Sequence, residues 1–168
     1  VLEVDLKDLY LDPNNPRLAL PDEPGYNNND ILFNRDSHDE IYKTVISGTH
    51  EIKEGLVKTI LGVGWEDLNP IIVWQPEGVE GKFLVTEGNR RVTALNYIHS
   101  DVYPNYKKRY EKAETSSVPG AMSDLSLLKN DVEKAERVFN QTKKLYVKKM
   151  TAVTPEQLQA DLPKLLSI

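Results

Sequence analysis

Residues 83–95 read FLVTEGNRRVTAL. An apolar run is followed by an acid, a glycine, an amide and two arginines, and then by apolar residues at helical spacing. The pattern is a strand that ends, a glycine that turns the chain, and a helix that begins. Gly88 permits backbone angles closed to other residues and leaves room for a ligand to approach. The first N–H groups of the helix have no intrahelical partners, and the helix dipole places partial positive charge beside them. Phosphate is the common occupant of such an end. Arg90 and Arg91 can add bidentate, charge-assisted hydrogen bonds to its oxygens. Asn89 can donate to the ligand or accept from it. Glu87 can hold an arginine, ligate Mg²⁺ or orient a water. A purely local reading competes with this one: paired arginines oppose the dipole at a helix start, and Glu87 could simply compensate one of them.

Outward from this turn, PIIVWQ (70–75) is a continuous apolar run with a proline on either side, and PEGVEG (76–81) is turn chemistry. With KFLVTE (82–87) it predicts an antiparallel hairpin. GNRRVTALNYIHS predicts a helix with Val92, Leu95 and either Ile98 or His99 facing inward. At the start of the chain VLEVDLKDL alternates, with Leu2, Val4 and Leu6 on one side of a half-buried strand. DPNNPRLALPDEPGYNNND (12–30) holds four prolines and five asparagines, which predicts a long irregular loop. SHDE (37–40) is a capping box that predicts a helix start at Ser37. A second helix is expected over about 51–61, from Ile52, Leu56, Val57 and Ile60.

The rear of the chain reads as helical. Leu125, Leu128, Val132, Ala135, Phe139, Thr142 and Tyr146 step by three and four residues, which predicts one amphipathic helix of about seven turns. TPEQ (154–157) has the form of another capping box, with Pro155 at the first helical position. TSSVPGAMS (115–123) is the candidate linker. The expected organisation is therefore an α/β domain over 1–114, a linker over 115–123 and a helical extension over 124–168.

The chain has 168 residues, 39% apolar and 28% charged, enough for one domain with a real core. It contains no cysteine, so thiolate catalysis, disulfides and Cys-type zinc sites are excluded. The three histidines have no metal-ligand spacing. No apolar run reaches the roughly 20 residues of a membrane span, and nothing at the start resembles a signal peptide; a cytoplasmic protein is expected. The first residue is Val, which predicts a piece of a longer chain. The net charge of −5 is uneven: residues 1–100 carry 9 basic and 17 acidic residues, and residues 101–150 carry 11 and 7. The acidic front argues against gripping a nucleic-acid backbone unaided, whereas the basic rear could contact phosphates. Tyr97, Tyr103, Tyr106 and Tyr110, interleaved with Lys and Arg, suit either single-strand binding or packing of the rear helices. Trp65 and Trp74 are expected in the core.

The ordered set LDPNNPRL, EGLVKTILGVGWEDLNPIIVW and GKFLVTEGNRRVTALNYI resembles the ParB/sulfiredoxin superfamily over residues 1 to about 100. There, a start strand, a proline-rich segment with NPR, helices, an apolar strand and a Gly-x-x-Arg turn follow in this order. The resemblance implies an α/β (α+β) fold with a small mixed sheet and surrounding helices. Its ParB branch carries Gly-Glu-Arg-Arg, which holds nucleoside triphosphate phosphates with Mg²⁺. Gly88, Arg90 and Arg91 match that signature, and Asn89 replaces the acid. Sulfiredoxin chemistry needs a cysteine where Asn89 stands. A third branch, in DNA-modification and phage-defence proteins, carries Asp-Gly-Gln-x-Arg; Glu87-Gly88-Asn89-Arg90-Arg91 is similar to it, with one methylene gained at the acid and one lost at the amide.

The resemblance implies a nucleotide- or phosphate-binding domain, with NTP hydrolysis as the possible reaction and Mg²⁺ as the possible cofactor. Glu87 and Arg91 would be catalytic, with Glu87 the metal ligand. Gly88, Asn89, Arg90, Arg91 and, from the NPR segment, Arg17 would hold phosphate. Two alternatives stand beside it: a metal-dependent DNase, and a protein-interaction module with a vestigial site acting through the 121–150 helix. The metal-binding Glu-Asn pair and the helix-turn-helix of ParB proteins have no match here, so DNA contacts would fall to other parts of a longer chain.

Overall fold

The computed structural model describes residues 1–48, 50–66, 69–115 and 121–166, without the side chains of 121–123 and 166. The architecture is mixed α/β. Five strands, β1 (Leu2–Asp5), β2 (Leu9–Leu11), β3 (Ile71–Trp74), β4 (Phe83–Glu87) and β5 (Lys144–Lys149), form one sheet in the order β1-β5-β3-β4-β2. β3 and β4 are the antiparallel hairpin expected from their apolar runs. β1 runs antiparallel to β5, while β5–β3 and β4–β2 are parallel pairs.

The first segment departs from the single strand that its alternation predicts. Leu6–Asp8 is a tight helical turn, and the strands on either side of it are the two opposite edges of the sheet. Five strands laid flat would separate those edges by roughly 19 Å, at about 4.8 Å per spacing. Three residues of tight turn, rising about 2 Å each, fall well short of that. The sheet therefore curls until its edges approach one another.

Alternate side chains fill two cores. Leu9, Leu11, Ile71, Val73, Val85, Leu145 and Val147 belong to the larger cluster, where the helices pack. Tyr10, Trp74 and Leu84 join Tyr26, Leu32, Phe33, Ala152 and Leu158 in the smaller one. Period-two alternation thus sends adjacent residues of one strand into different cores, and β3 and β4 carry apolar residues on both faces. Trp74 is fully buried, as expected.

The helical rear is corrected. Helix α6 (Ala121–Gln141) stops at Gln141, and Lys144–Lys149 is a strand hydrogen-bonded between β1 and β3. In KLYVKK, Leu145 and Val147 point inward, and Tyr146 is 54% exposed. Thr142 and Tyr146 fit the helical spacing by coincidence. The alternation of Leu145 and Val147 with Lys144, Tyr146 and Lys148 was the signal for a strand. The segment expected to be a helical extension is therefore not helical throughout: its residues 144–149 supply an interior strand of the sheet. The helix expected over 121–150 is shortened with it: α6 ends at Gln141, and its Ala135 and Val138 have no exposure and lie in the main core. Of the candidate linker, residues 116–120 lie outside the described residues.

Between these elements run α1 (Asn29–Leu32), α2 (Arg35–Gly48), α3 (Val57–Val63), α4 (Asn89–Tyr97), α5 (Tyr103–Glu114) and, at the end, α7 (Pro155–Leu166). Helix α2 begins before the SHDE box, because the Asn34 carboxamide accepts from the Ser37 N–H at 3.0 Å and takes the capping role. The second box forms as written: Thr154 Oγ1 accepts from the Gln157 N–H at 3.2 Å, and Gln157 Oε1 accepts from the Thr154 N–H at 3.3 Å. Wide helical turns lead into α3 over Glu51–Leu56 and into α5 over Ile98–Val102. Pro104, in the first turn of α5, has no N–H to return to the preceding turn, which favours a local widening there.

Candidate functional site

The site is built where β4 passes into α4. Between Ile72 and Val73 the pairing register with β4 slips by one residue. Thr86 is the extra residue, with its hydroxyl donating to the Ile72 carbonyl at 3.1 Å. A bulge at the end of a strand re-aims the side chains that follow it, here Glu87 and the turn. Gly88 then takes φ +104°, ψ 17°. The dihedral favours glycine, and a Cβ on Gly88 would in addition press on Ile71 Cγ1 and Arg91 Nη2 at 3.2 Å. The Val92 N–H donates to the Gly88 carbonyl at 2.9 Å and closes the first turn of α4.

Asn89 is bound into the protein by its side chain. Its side chain is buried, with 2% exposure. Its Oδ1 accepts from the Asp12 N–H at 2.9 Å, and its Nδ2 donates to the Val85 carbonyl at 2.9 Å. Both polar atoms of its side chain are thus engaged with protein, and the carboxamide acts as a structural clamp between Asp12 and Val85.

That clamp delivers Arg17. β2 runs parallel to β4 with Leu11 opposite Val85, so the chains leaving both strands emerge at the same end of the sheet. In the segment that follows β2, Asn15 Oδ1 accepts from the Arg17 N–H at 2.9 Å and sets a tight turn over Pro16–Leu18. The rest of the loop is tied by a reciprocal pair, Asn14 Nδ2 to the Gly25 carbonyl at 2.8 Å and the Gly25 N–H to Asn14 Oδ1 at 2.7 Å. Arg17 Nη1 ends 3.4 Å from Glu87 Oε1.

A small cavity of about 110 Å³ is lined by Asn15, Arg17 and Glu87 to Arg91. Arg91 is partly buried and donates to the Asn69 carbonyl. Burial pulls its pKa below the ordinary arginine value, and Glu87 opposes that; the guanidinium stays charged in the physiological range. Arg90 points along the rim and pairs with Glu51 Oε2 at 2.7 Å. The carboxylates of these pairs are held at exposed or half-exposed positions, where such contacts contribute little and exchange readily. Three guanidiniums against the single carboxylate lining the cavity make a local positive focus in an acidic front half. Glu51 and Asn69 were not among the residues singled out from the sequence. They act through a side chain and a carbonyl that only the fold brings near, and nothing in their local sequence marks them.

A second cavity of about 310 Å³ adjoins Asp12, with Tyr26, Thr86 and Gln159 in its wall. Asp12 is 1% exposed, and Oδ2 accepts from the Tyr26 hydroxyl at 2.7 Å. Burial pushes its carboxyl up to about 6, against the lowering effect of the Tyr26 and Asn14 hydrogen bonds. Among the described residues no cluster of three His, Cys, Asp or Glu could hold a metal by itself. A Mg²⁺ ion held with a phosphate needs only one or two carboxylates, and Glu87 lines the arginine cavity. Among the described residues no helix is long and apolar enough to cross a membrane.

No family model matches the chain, and no curated protein or solved structure matches it either.

Proposed function

We propose that this domain binds the phosphates of a nucleotide at the Glu87–Arg91 turn, within the acid–Gly–amide–Arg–Arg framework that resembles the ParB/sulfiredoxin superfamily. One observation carries the reading. Arg17, 70 residues away in sequence, meets Glu87 and lines the same small cavity as Gly88, Arg90 and Arg91. A structural turn has no need of a third arginine from a distant loop, whereas a polyphosphate does.

The residues divide the work. Gly88 keeps the floor open, Arg91 is held from behind by the Asn69 carbonyl, and Arg17 and Arg90 flank the mouth with exchangeable carboxylate partners. A polyphosphate arriving there would draw both arginines from Glu87 and Glu51. Glu87, once released, is placed to hold Mg²⁺ or to orient a water, and the ion would neutralise phosphate charge. If hydrolysis follows, Arg91 is the cation positioned to meet charge developing on the transferred group.

The test is a calorimetry and thermal-shift panel of ATP, GTP, CTP and UTP with Mg²⁺ on wild type, Arg91→Ala and Arg17→Ala. A triphosphate that stabilises wild type and binds both variants at least about tenfold more weakly supports the site and names the base. Four nucleotides that leave wild type unshifted at millimolar concentration overturn it.

A further inference from the structure

We infer that the cleft between α3, with the wide turns leading into it, and α5 is a binding groove for single-stranded nucleic acid. It is separate from the Glu87–Arg91 turn and goes beyond the nucleotide reading.

The cleft encloses about 540 Å³. Five cations line it: Lys53 and Lys58 from one wall, Lys108, Arg109 and Lys112 from the other. Residues 105, 108, 109 and 112 share one face of α5, because they are spaced three and four apart. Against these five stands one acid, Glu54, already paired with Lys58 at 2.8 Å. Among the described residues, Lys108, Arg109 and Lys112 have no carboxylate within 4.0 Å. In a chain of net charge −5, an excess of four positive charges in one concave place is a local field of the kind that gathers polyanions.

Charge alone fits any polyanion; the rings narrow the choice. Tyr97 and Tyr106 are partly buried, packed on the main core along one side and open to the cleft on the other. Lys53 Nζ lies 5.4 Å from the centre of the Tyr97 ring. Flat rings bordered by cations match the alternation of base and phosphate along a single strand, in which bases stack on aromatics and phosphates meet Lys and Arg. A duplex keeps its bases stacked inside, and an acidic peptide has no flat faces to offer the tyrosines. Packing of Tyr97 and Tyr106 on the core also holds the rings in place before binding, which lowers the ordering cost.

The experiment is fluorescence anisotropy of a labelled oligo-dT of about 15 nucleotides, long enough for one groove, titrated with the whole chain across salt. A duplex of the same length and a poly-glutamate peptide serve as competitors. For single strands log K falls by about 0.7 per phosphate contact for each unit of log salt. The five cations therefore predict a slope of roughly −2 to −3.5. The variant Lys108→Gln/Arg109→Gln/Lys112→Gln alters exposed side chains only; it should keep its melting temperature, bind at least about tenfold more weakly at low salt, and flatten the slope by about 2. Arg91→Ala should bind oligo-dT as wild type does, which separates this groove from the nucleotide site. Oligo-dT carrying 5-iodouracil should photocrosslink to Tyr97 or Tyr106. No anisotropy change at the lowest salt, an unweakened triple variant, or crosslinks confined to other tyrosines would each overturn the inference. Equal competition by the duplex or by poly-glutamate would also overturn it, as that describes a charge site without strand recognition.

Discussion

The Asn89 carboxamide holds the backbone of Asp12, 77 residues away, by accepting its N–H at 2.9 Å while donating to the Val85 carbonyl. This pair joins the turn after β4 to the loop after β2, and through it Arg17 reaches Glu87. The amide in the EGNRR motif is therefore a positioning residue.

Asn89→Ala leaves a buried donor on Asp12 and a buried acceptor on Val85 without their partner. Each such loss costs about 1–3 kcal/mol, so urea unfolding should show a loss of about 2–4 kcal/mol. Asn89→Asp could still accept from Asp12 but not donate to Val85, and it places a charge at a buried position; it should be no better than the alanine variant.

Gly88→Ala forces a side chain into a positive φ and into contacts of 3.2 Å with Ile71 and Arg91. The dihedral alone costs about 1–2 kcal/mol. Chemical denaturation should register at least that loss. Nucleotide affinity should fall further than stability alone explains, because Arg91 is displaced.

Arg17→Ala separates fold from ligand. The Arg17–Glu87 pair is long, at 3.4 Å, with Arg17 57% exposed, and such solvent-reached pairs contribute about 0–1 kcal/mol. The melting temperature should stay close to wild type while triphosphate binding weakens by about tenfold or more, on the order of a charge-assisted hydrogen bond.

Stability should respond to pH through groups buried in unusual states. Burial lowers His38 and His99 to about 4, aided by Arg35 and Lys143 respectively. Both are therefore neutral when folded, and their contribution is full above 6.5 and is lost as pH falls from 6.5 towards 4. His38 Nδ1 accepts from the Leu11 N–H at 3.1 Å, a bond that fixes the neutral tautomer. Asp12 has the opposite sign. Its carboxyl, raised to about 6, contributes stability below 3.8 that is lost as pH rises through 6. Wild type should consequently weaken below pH 6.5 less steeply than two histidines alone would dictate. Asp12→Asn keeps an acceptor for Asn14 and removes the buried charge. It should exceed wild type by about 1–3 kcal/mol at pH 8 and lose that advantage near pH 4. Melting curves of both proteins across this range decide it.

β5 makes the rear of the chain indispensable. Val147 and Leu145 sit in the main core at 0% and 1% exposure. Val147→Ala should cost about 1–3 kcal/mol, and a chain ending at residue 141 should fail to give a cooperative unfolding transition, because β1 and β3 would lose their common neighbour.

Much of this protein was written locally. The β3–β4 hairpin, the glycine turn into α4 and the Thr154 cap each depend on residues within a few positions of one another, where turn chemistry, periodicity and capping act directly. Three things were not local. Leu6–Asp8 breaks an alternating run because strand edges 1 and 2 belong to opposite sides of a curled sheet. Lys144–Lys149 is a strand because a gap between β1 and β3 offers its backbone hydrogen bonds and its Leu145 and Val147 a core, whereas helical spacing of Thr142 and Tyr146 offered neither. Asn89 turned inward because a buried N–H on Asp12 and a buried carbonyl on Val85 needed one group that both donates and accepts. The residue types at the turn, a glycine, an acid and two arginines after a strand, are legible from the local chain alone. That a third arginine joins them, and that the amide is bound to Asp12 and Val85, follows from the parallel pairing of β2 with β4, which brings together segments that no short-range interaction could align.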